Sequence, residues 1–185
     1  HELAPGEPLG CAVNVAERAG IRPGDTVVIH GIGFLGCLLL QLVQLAGAGR
    51  VIAIARRPEA RALAERLGAT EVLDANDLEL LIRVKDLTDG SWAPVVIEAT
   101  GKQVPLDQCG EMTAERGRLI VAGYHSDGAR TINMQSWNYK GIDVINAHER
   151  DPRRSLEGIR RALELLGAGA LTLDGLITHR FPLSQ

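Results

Sequence analysis

The chain has 185 residues, of which 45% are hydrophobic but only 3% aromatic, and its formal net charge is -3 at pH 7. This length suits one domain of about 100–200 residues with one substantial core. A core of Val, Ile, Leu and Ala is typical of parallel sheets covered by helices. Nucleic-acid-binding proteins carry clustered positive charge, so the charge argues against that class. The composition therefore favours an α/β fold.

The cysteines and the most apolar stretch bear on the cellular compartment. Cys11, Cys37 and Cys109 are far apart and odd in number, which favours reduced thiols over a disulfide framework. Glutamines and glycines interrupt the apolar stretch 31–49, so we expect a buried helix there rather than a membrane span. We therefore predict a cytoplasmic protein with no membrane partner and no nucleic-acid partner.

Strands and helices alternate along the chain. A helix over 8–19 leads to a turn, and a β-branched strand over 26–30 ends at a glycine loop that precedes a helix over 34–46. The alternation continues with predicted strands at 51–55, 71–73, 94–98, 118–122 and 142–146 and predicted helices at 59–67, 78–87, 106–115 and 155–166. Such alternation predicts a doubly wound six-stranded parallel sheet, the α/β Rossmann fold.

The loop after the first strand carries the pattern G-x-G-x-x-G. In this pattern Gly31 makes the tight turn, Gly33 lets the backbone approach a pyrophosphate, and Gly36 allows close packing of helix on strand. The helix behind the loop begins with Phe34 and Leu35, and its N-terminus presents a positive dipole end to the phosphates. The sequence therefore predicts a dinucleotide site at these five residues. The alternative is a tight turn that binds no ligand.

The end of the second predicted strand indicates which dinucleotide binds. An Asp or Glu at this point normally accepts a hydrogen bond from the ribose 2′-hydroxyl, but this chain has Ala55. Arg56 and Arg57 follow directly, and a planar guanidinium is suited to a 2′-phosphate. The sequence thus favours NADP over NAD. The alternative is that both arginines are solvated charges and that NAD binds without its usual carboxylate partner.

Five segments occur in the order and spacing of one enzyme family. They are EPLGCAVNVAERAGIRPGDTVVIHGIGFLG, AERLGATEVLD, PVVIEATG, GRLIVAG and THRFPL. On these segments the chain resembles the medium-chain dehydrogenase/reductase family, and within it the zinc-dependent alcohol, sorbitol and threonine dehydrogenases. The resemblance implies that residues after the fourth and fifth strands line the cofactor and that residues after the sixth approach the nicotinamide: Thr100 and Gly101, Gly123 and Tyr124, Asn146 and Ala147.

The resemblance also implies a separate β-rich catalytic domain, built from residues before position 1 and after position 185. Residues 1–25 are then a linker and lead-in helix, 26–175 the dinucleotide-binding domain, and 176–185 the start of the return to the catalytic domain. Sorbitol-dehydrogenase-like members carry an EPL stretch whose glutamate lies at the catalytic zinc, and Glu7 begins such a stretch. The alternative for Glu7 is a helix-start carboxylate that the helix dipole favours.

The implied activity is hydride transfer between NAD(P) and an alcohol or carbonyl substrate, with zinc polarising the substrate oxygen. This chain would supply the cofactor site and no catalytic residue. One alternative is a zinc-free quinone or enoyl reductase of the same superfamily, against which the EPL stretch argues. The other is a non-catalytic dinucleotide-binding module. The resemblance further implies a homodimer or homotetramer in which the sixth strand, 142–146, pairs across a two-fold axis.

Four histidines and one cysteine remain as candidates for chemistry. No two of His30, His125, His148 and His179 have a spacing that would place them on one zinc ion. His30 is expected beside the cofactor loop, while His125 and His148 follow strand ends, which leaves a polar contact with the cofactor open for both. Cys37 lies in the first turn of the phosphate-facing helix, where the dipole could lower a thiol pKa, but packing is the favoured interpretation.

Overall fold

The computed structural model describes residues 5–179 and 181–182. The two ends of the predicted linker and return segments, residues 1–4, 180 and 183–185, lie outside the described residues. In the described part, helices and strands alternate as follows: α1 (Gly6–Ala19), β1 (Thr26–His30), α2 (Phe34–Leu45), β2 (Arg50–Ala55), α3 (Pro58–Arg66), β3 (Glu71–Asp74), α4 (Leu80–Leu87), β4 (Ala93–Glu98), α5 (Gln103–Met112), β5 (Thr113–Val121), α6 (Met134–Lys140), β6 (Asp143–Asn146) and α7 (Pro152–Gly167).

The six strands form one sheet in the order β3-β2-β1-β4-β5-β6. Each neighbouring pair is parallel, including β1 and β2, in which Thr26 lies opposite Arg50. The predicted doubly wound six-stranded parallel sheet is therefore confirmed. The strand order reverses between β1 and β4, and in open α/β sheets the crevice beyond the carboxyl ends of the strands at such a point binds ligands.

The core lies on both faces of the sheet, because successive side chains of a strand point to opposite faces. Val27 and Ile29 of β1 belong to the apolar cluster formed with α1, α2 and α3, whereas Val28 belongs to the cluster formed with α4, α5 and α6. All three side chains are fully buried, and each such burial stabilises the fold by roughly 1.5–3 kcal/mol. The stable sheet therefore fixes the positions at which the loops of its carboxyl edge begin.

The apolar stretch predicted to be a buried helix forms α2. Its middle residues, from Gly36 to Val43, are buried against the sheet, as the sequence predicted. None of the helices within residues 5–179 combines the length and the apolar character that crossing a membrane requires.

The region from α5 to β5 differs from the prediction, which continued the helix to residue 115 and began the strand at 118. The chain becomes extended at Thr113, whose hydroxyl donates a hydrogen bond to the carbonyl of Cys109 at 2.7 Å. Thr113 lies opposite Ala93 and Arg118 opposite Val95, so residues 114–117 bulge out of register. This pairing with β4 overrides the local helical pattern.

Helix α6 and the start of α7 also depart from the prediction. The side chain of Asn133 accepts a hydrogen bond from the backbone N–H of Ser136 at 3.1 Å and so begins α6, which the sequence pattern did not predict. Helix α7 begins three residues earlier than predicted, because Asp151 caps the N–H of Arg153 at 2.9 Å and Pro152 occupies the first helical position.

Candidate dinucleotide-binding site

A groove of about 690 Å³ lies at the carboxyl edge of the sheet, where the strand order reverses. It is lined by the glycine loop after β1, by the loops after β2, β3 and β4, and by the first turns of α5. Five of the predicted cofactor residues line it: Gly31, Gly33, Arg56, Arg57 and Thr100. The fold thus brings two distant sequence motifs, the glycine loop and the arginine pair, into one cavity.

The three glycines of the G-x-G-x-x-G loop lie in different steric environments. Gly31 has a φ of 107°, in the left-handed region, and a Cβ there would lie 2.6 Å from Cγ2 of Thr100. A Cβ on Gly36 would lie 1.9 Å from the carbonyl oxygen of Gly31, which is too close for any side chain. A Cβ on Gly33 would meet no atom within 4 Å. Gly33 therefore leaves open space in front of the helix, where a ligand can approach the backbone.

The N-terminus of α2 is free to bind an anion. The first N–H groups of a helix have no intrahelical partner, and α2 begins after Gly33 with no side-chain cap and no acidic residue in its first turn to satisfy them. The side chains of Phe34 and Leu35 pack against the core, and Phe34 borders a second cavity of about 350 Å³. These two residues would therefore contact a ligand through backbone N–H groups.

The loop after β2 presents two free guanidinium groups. Arg56 and Arg57 are exposed, and neither forms an ion pair with any residue of the 5–179 and 181–182 ranges. Arg61 of α3 holds the loop, because its guanidinium donates hydrogen bonds to the carbonyls of Ala55 at 3.2 Å and Arg56 at 2.8 Å. The same guanidinium pairs with Asp74 at 3.0 Å. Sequence reasoning missed Arg61, and nothing in its local pattern marks it.

A buried carboxylate organises the loop after β4. Glu98, the last residue of β4, is fully buried. Its Oε1 accepts hydrogen bonds from the backbone N–H groups of Thr100 at 2.7 Å and Gly101 at 2.9 Å, and from the Thr100 hydroxyl. Its Oε2 accepts from Nε2 of His125 at 3.1 Å. Sequence reasoning missed Glu98, although a carboxylate at the end of an apolar strand is a signal for a buried polar role.

The loop after β5 is joined to this carboxylate through Arg130. Nε of Arg130 donates to Nδ1 of His125 at 2.8 Å, and its Nη2 donates to the carbonyl of Gly101 at 2.8 Å. Arg130 and Lys102 both pair with Asp127, and these two cations hold the pKa of Asp127 well below its usual range. Lys102, Asp127 and Arg130 line the groove, so this loop forms part of its wall.

The remaining predicted cofactor residues lie along the same sheet edge but outside the lining of the groove. Gly123 packs on Gly101, since a Cβ on Gly123 would lie 2.3 Å from the backbone nitrogen of Gly101. Tyr124 is 78% exposed and Asn146 is exposed. Ala147 is buried, and its N–H donates to the carbonyl of Val121 at 3.0 Å. These residues surround the part of the edge beyond β5.

Apart from His125, the histidines among the described residues occupy three different environments. His30 is buried at the end of β1, and burial lowers its pKa. Its Nε2 lies 2.8 Å from Oε1 of Gln108, while its Nδ1 has no partner among the described residues. The ring of His148 lies 6.2 Å from the ring of Tyr124, and His179 stacks on Phe181 far along the chain.

Cys37 is buried in α2, and burial raises its pKa to about 11. Desolvation therefore outweighs the lowering effect of the nearby Arg57 charge at this position. This supports the interpretation of Cys37 as a packing residue, and we assign no chemistry to its thiol.

Glu7 lies exposed in the first turn of α1, where its Oε1 accepts a hydrogen bond from Sγ of Cys11 at 3.1 Å. Burial, together with Glu7, raises the pKa of Cys11 to about 11. Nowhere in the described chain do three or more His, Cys, Asp or Glu side chains converge in a way that could hold a metal ion. The donors that this chain brings together therefore do not fit a zinc site by themselves.

A family model described as zinc-binding dehydrogenase matches residues 35–166, and the chain belongs to this family. The resemblance to the zinc-dependent dehydrogenases is therefore confirmed. The erythritol/L-threitol dehydrogenase of Mycolicibacterium smegmatis is 32% identical over 180 residues, which are 97% of this chain and 48% of that protein. The L-threonine 3-dehydrogenase of Bacillus licheniformis is 30% identical over 179 residues, which are 97% of this chain and 51% of that protein.

A solved structure supports the same assignment. A zinc-binding dehydrogenase from Sinorhizobium meliloti 1021, bound to NADP, matches with a TM-score of 0.81 at 28% identity, over 91% of this chain and 49% of that one. The chain spans about half the length of the curated relatives it matches. These curated relatives are dehydrogenases by name, and the solved structure shares the fold described above.

Proposed function

We propose that the groove binds NADP(H) and that the chain is the cofactor-binding part of a zinc-dependent alcohol or polyol dehydrogenase. The observation that carries the proposal is the pair of free guanidinium groups of Arg56 and Arg57 at the groove. Ala55 stands where a carboxylate would otherwise repel a 2′-phosphate. Arginines that lack a carboxylate partner can form charge-assisted hydrogen bonds with such a phosphate.

The glycine loop supports a place for the pyrophosphate. Gly33 and the backbone N–H groups of Phe34, Leu35 and Gly36 would hold it, because the first turn of α2 is uncapped and open in front. The peptide N–H groups after β4 already bind the carboxylate of Glu98. They are therefore not available to a phosphate, which favours the N-terminus of α2 as the phosphate site.

The other predicted residues would complete the site. Thr100, Gly101, Gly123 and Tyr124 would line the cofactor, and Asn146 with Ala147 would approach the nicotinamide. When bound, the cofactor supplies the hydride donor or acceptor, and this chain binds it, orients it and limits its access to water. Because the described donors do not form a zinc site, we assign no step to a metal in this chain.

Contacts with the rest of a longer protein are part of the proposal. We propose the division into residues 1–25, 26–175 and 176–185, with Glu7 reaching a catalytic zinc held mainly by another domain. The small-molecule substrate would be an alcohol, a polyol or the corresponding carbonyl compound. The free thiols of Cys11, Cys37 and Cys109 favour a cytoplasmic location.

The sixth strand is the proposed oligomer interface. β6 is the last strand of the sheet, and Val144 is 39% exposed on it. Its unpaired edge can add a strand from a second copy and so extend the sheet through a homodimer, or through a homotetramer. Multi-angle light scattering at micromolar concentration should show a dimer or tetramer, and Val144→Pro should shift the protein towards monomer. A monomer alone in the unmodified protein contradicts this proposal.

Titration of both cofactors tests the proposed cofactor. We expect NADP(H) to bind more tightly than NAD(H). Arg57→Ala should weaken NADP(H) by about 10- to 100-fold, because a charge-assisted hydrogen bond is worth roughly 1.5–3 kcal/mol, and should leave NAD(H) nearly unchanged. Arg161→Ala on α7, which removes an exposed arginine far from the groove, is the matched control. Equal affinity of the unmodified chain for both cofactors, or equal weakening of both by Arg57→Ala, contradicts the preference for NADP.

Two other functions remain as alternatives. A zinc-free quinone or enoyl reductase would use the same groove without metal, and a non-catalytic dinucleotide-binding module would bind the cofactor without turnover. Metal analysis of the whole protein, together with a dehydrogenase assay on a panel of polyols, separates the three. Bound zinc with alcohol oxidation supports the proposal, activity without zinc supports the reductase, and cofactor binding without either activity supports the module.

A further inference from the structure

We propose that Glu98 is a positioning residue that holds the loops after β4 and β5 in one arrangement beside the groove. The proposal rests on the proposed cofactor binding and assigns a role to a buried carboxylate that the cofactor itself does not need to touch. Glu98 is fully buried at the end of β4, and its carboxylate does not line the groove. Its partner Thr100 does, and so does Arg130, which is joined to Glu98 through His125.

The carboxylate fixes the loop after β4 through the backbone. A buried carboxylate is costly unless it is hydrogen-bonded, and Glu98 meets this requirement with the successive N–H groups of Thr100 and Gly101. Gly101 has a φ of 70°, a left-handed conformation that glycine adopts without strain. The loop therefore has one favoured conformation before any ligand arrives.

The same residue fixes the loop after β5, which comes from a different part of the sequence. The backbone carbonyl of Glu98 accepts hydrogen bonds from the N–H groups of Ala122 at 2.8 Å and Gly123 at 2.9 Å. Its side chain binds Nε2 of His125 at 3.1 Å. A Cβ on Gly123 would lie 2.6 Å from Oε2 of Glu98, so this loop has no room to shift towards the carboxylate.

Arg130 closes these contacts into a ring. It donates hydrogen bonds to Nδ1 of His125 and to the carbonyl of Gly101, and the N–H of Gly101 donates to Oε1 of Glu98. Since Nδ1 of His125 accepts from Arg130, the ring proton lies on Nε2 and is donated to Glu98. His125 thus links Glu98 to Arg130 through one donor and one acceptor, and the loops after β4 and β5 are constrained together.

Such pre-organisation raises the affinity for any ligand that both loops contact, because less conformational entropy is lost on binding. With the 2′-phosphate at Arg56 and Arg57, as proposed above, the parts of the cofactor on this side of the groove would be common to NADP and NAD. Loss of the ring should therefore weaken both cofactors by the same factor. This separates Glu98 from Arg57, whose removal should affect NADP(H) alone.

The first test compares His125→Ala with His125→Gln. The alanine variant breaks the ring at a residue that does not line the groove. We expect it to weaken NADPH and NADH each by about 5- to 10-fold and to accelerate hydrogen exchange at the amides of Thr100 and Gly101. Glutamine can donate to Glu98 and accept from Arg130, so His125→Gln should restore most of both properties. His179→Ala, at an exposed histidine outside the network, is the matched control and should change neither.

The second test uses Glu98→Gln, whose amide cannot accept from every donor that the carboxylate satisfies. We expect the affinity for both cofactors to fall by the same factor and hydrogen exchange at the amides of Thr100 and Gly101 to accelerate. Hydrogen exchange at the amide of Val28 in β1 should be unchanged. Unaltered exchange and affinity in both His125→Ala and a folded Glu98→Gln overturn the proposal, as does a change in the NADPH to NADH ratio. If Glu98→Gln does not fold, the comparison of His125→Ala with His125→Gln tests the proposal by itself. If the unmodified chain binds neither cofactor, the proposed function fails, and the exchange rates still decide the role of Glu98.

Discussion

The two sides of the groove reach their geometry by different means. On the side of β1 and β2, backbone conformation makes the site: Gly31 and Gly36 fit where no side chain can, and Arg56 and Arg57 extend without ion-pair partners among the described residues. On the side of β4 and β5, a buried carboxylate and its hydrogen-bond ring make it.

This difference assigns different tasks to the two sides. Free cations and an uncapped helix N-terminus are groups that an anionic ligand would satisfy, so we expect the β1–β2 side to select the ligand by charge. On the β4–β5 side the polar groups of Glu98, His125 and Arg130 are already satisfied within the protein, so that side contributes shape. Selectivity and affinity should therefore respond separately to substitution.

The largest effect is expected from Gly36→Ala on the β1–β2 side. Alanine is the better helix former, yet its Cβ would lie 1.9 Å from the carbonyl oxygen of Gly31, so strand and helix must separate. We expect a loss of about 3 kcal/mol in the free energy of unfolding, at the upper end of the usual cost of overpacking. Urea denaturation followed by circular dichroism measures it.

Gly33→Ala is the matched control for this prediction. Its Cβ meets no atom of the protein within 4 Å, so the free energy of unfolding should change by less than about 1 kcal/mol. It should nevertheless weaken NADPH binding, because the methyl group occupies the approach to the helix N-terminus. Equal stability of Gly36→Ala and Gly33→Ala would show that the loop relaxes freely and that backbone geometry does not define this side.

The sequence predicts one side of the groove better than the other for a physical reason. The glycine loop and Arg56 with Arg57 are short-range patterns, and a β-α-β unit places such patterns in one way only. The ring around Glu98 includes His125 and Arg130, which follow Glu98 by 27 and 32 positions and lie in a loop of irregular conformation. Hydrophobic periodicity carries no information about which loops meet, so this ring could not be predicted.

The fold shows the same division between local and long-range information. The alternation of strands and helices predicted all six strands, because each has its own apolar pattern. The bulge at residues 114–117 was missed because it depends on pairing between Thr113 and Ala93. Helix α6 was missed although its cap, Asn133, and its terminator, Gly141, are local signals, because its seven residues contain too little apolar periodicity.

A smaller effect is expected from Arg61→Ala, which tests whether Arg61 holds the loop that carries Arg56 and Arg57. Arg61 neutralises Asp74 at 3.0 Å and holds the carbonyls of the β2–α3 loop. Without it, the charge of Asp74 should repel a 2′-phosphate and the loop should loosen. We expect NADPH to bind about 3- to 10-fold more weakly, which corresponds to about 0.7–1.4 kcal/mol, while NADH changes less. Isothermal titration of both cofactors measures this.

The double variant with Asp74→Asn separates the two causes. If the charge of Asp74 is the main cause, Arg61→Ala combined with Asp74→Asn should recover most of the NADPH affinity, as a double-mutant cycle would show. If the loop is the main cause, the affinity should stay low. A single variant Arg61→Ala that binds NADPH like the unmodified chain would contradict any role of Arg61 at this site.

The smallest effect concerns His30, which lies where the two sides meet. It ends β1, and its Nε2 contacts Gln108 of α5. Burial lowers its pKa from the usual value of 6.5, so below pH 6.5 the unfolded chain binds more protons at this residue than the folded chain does. The contribution of His30 to stability is therefore intact above about pH 6.5 and is lost progressively as the pH falls towards its folded pKa, with a slope of at most about 1.4 kcal/mol per pH unit.

His30→Gln tests this pH dependence, because glutamine can keep the contact with Gln108 without titrating. The free energy of unfolding of this variant, measured by urea denaturation between pH 5 and 8, should fall less steeply on the acid side. His179→Gln, at an exposed histidine, should keep the steeper fall, and identical acid-side slopes for His30→Gln and the unmodified chain would show that His30 is not the group responsible.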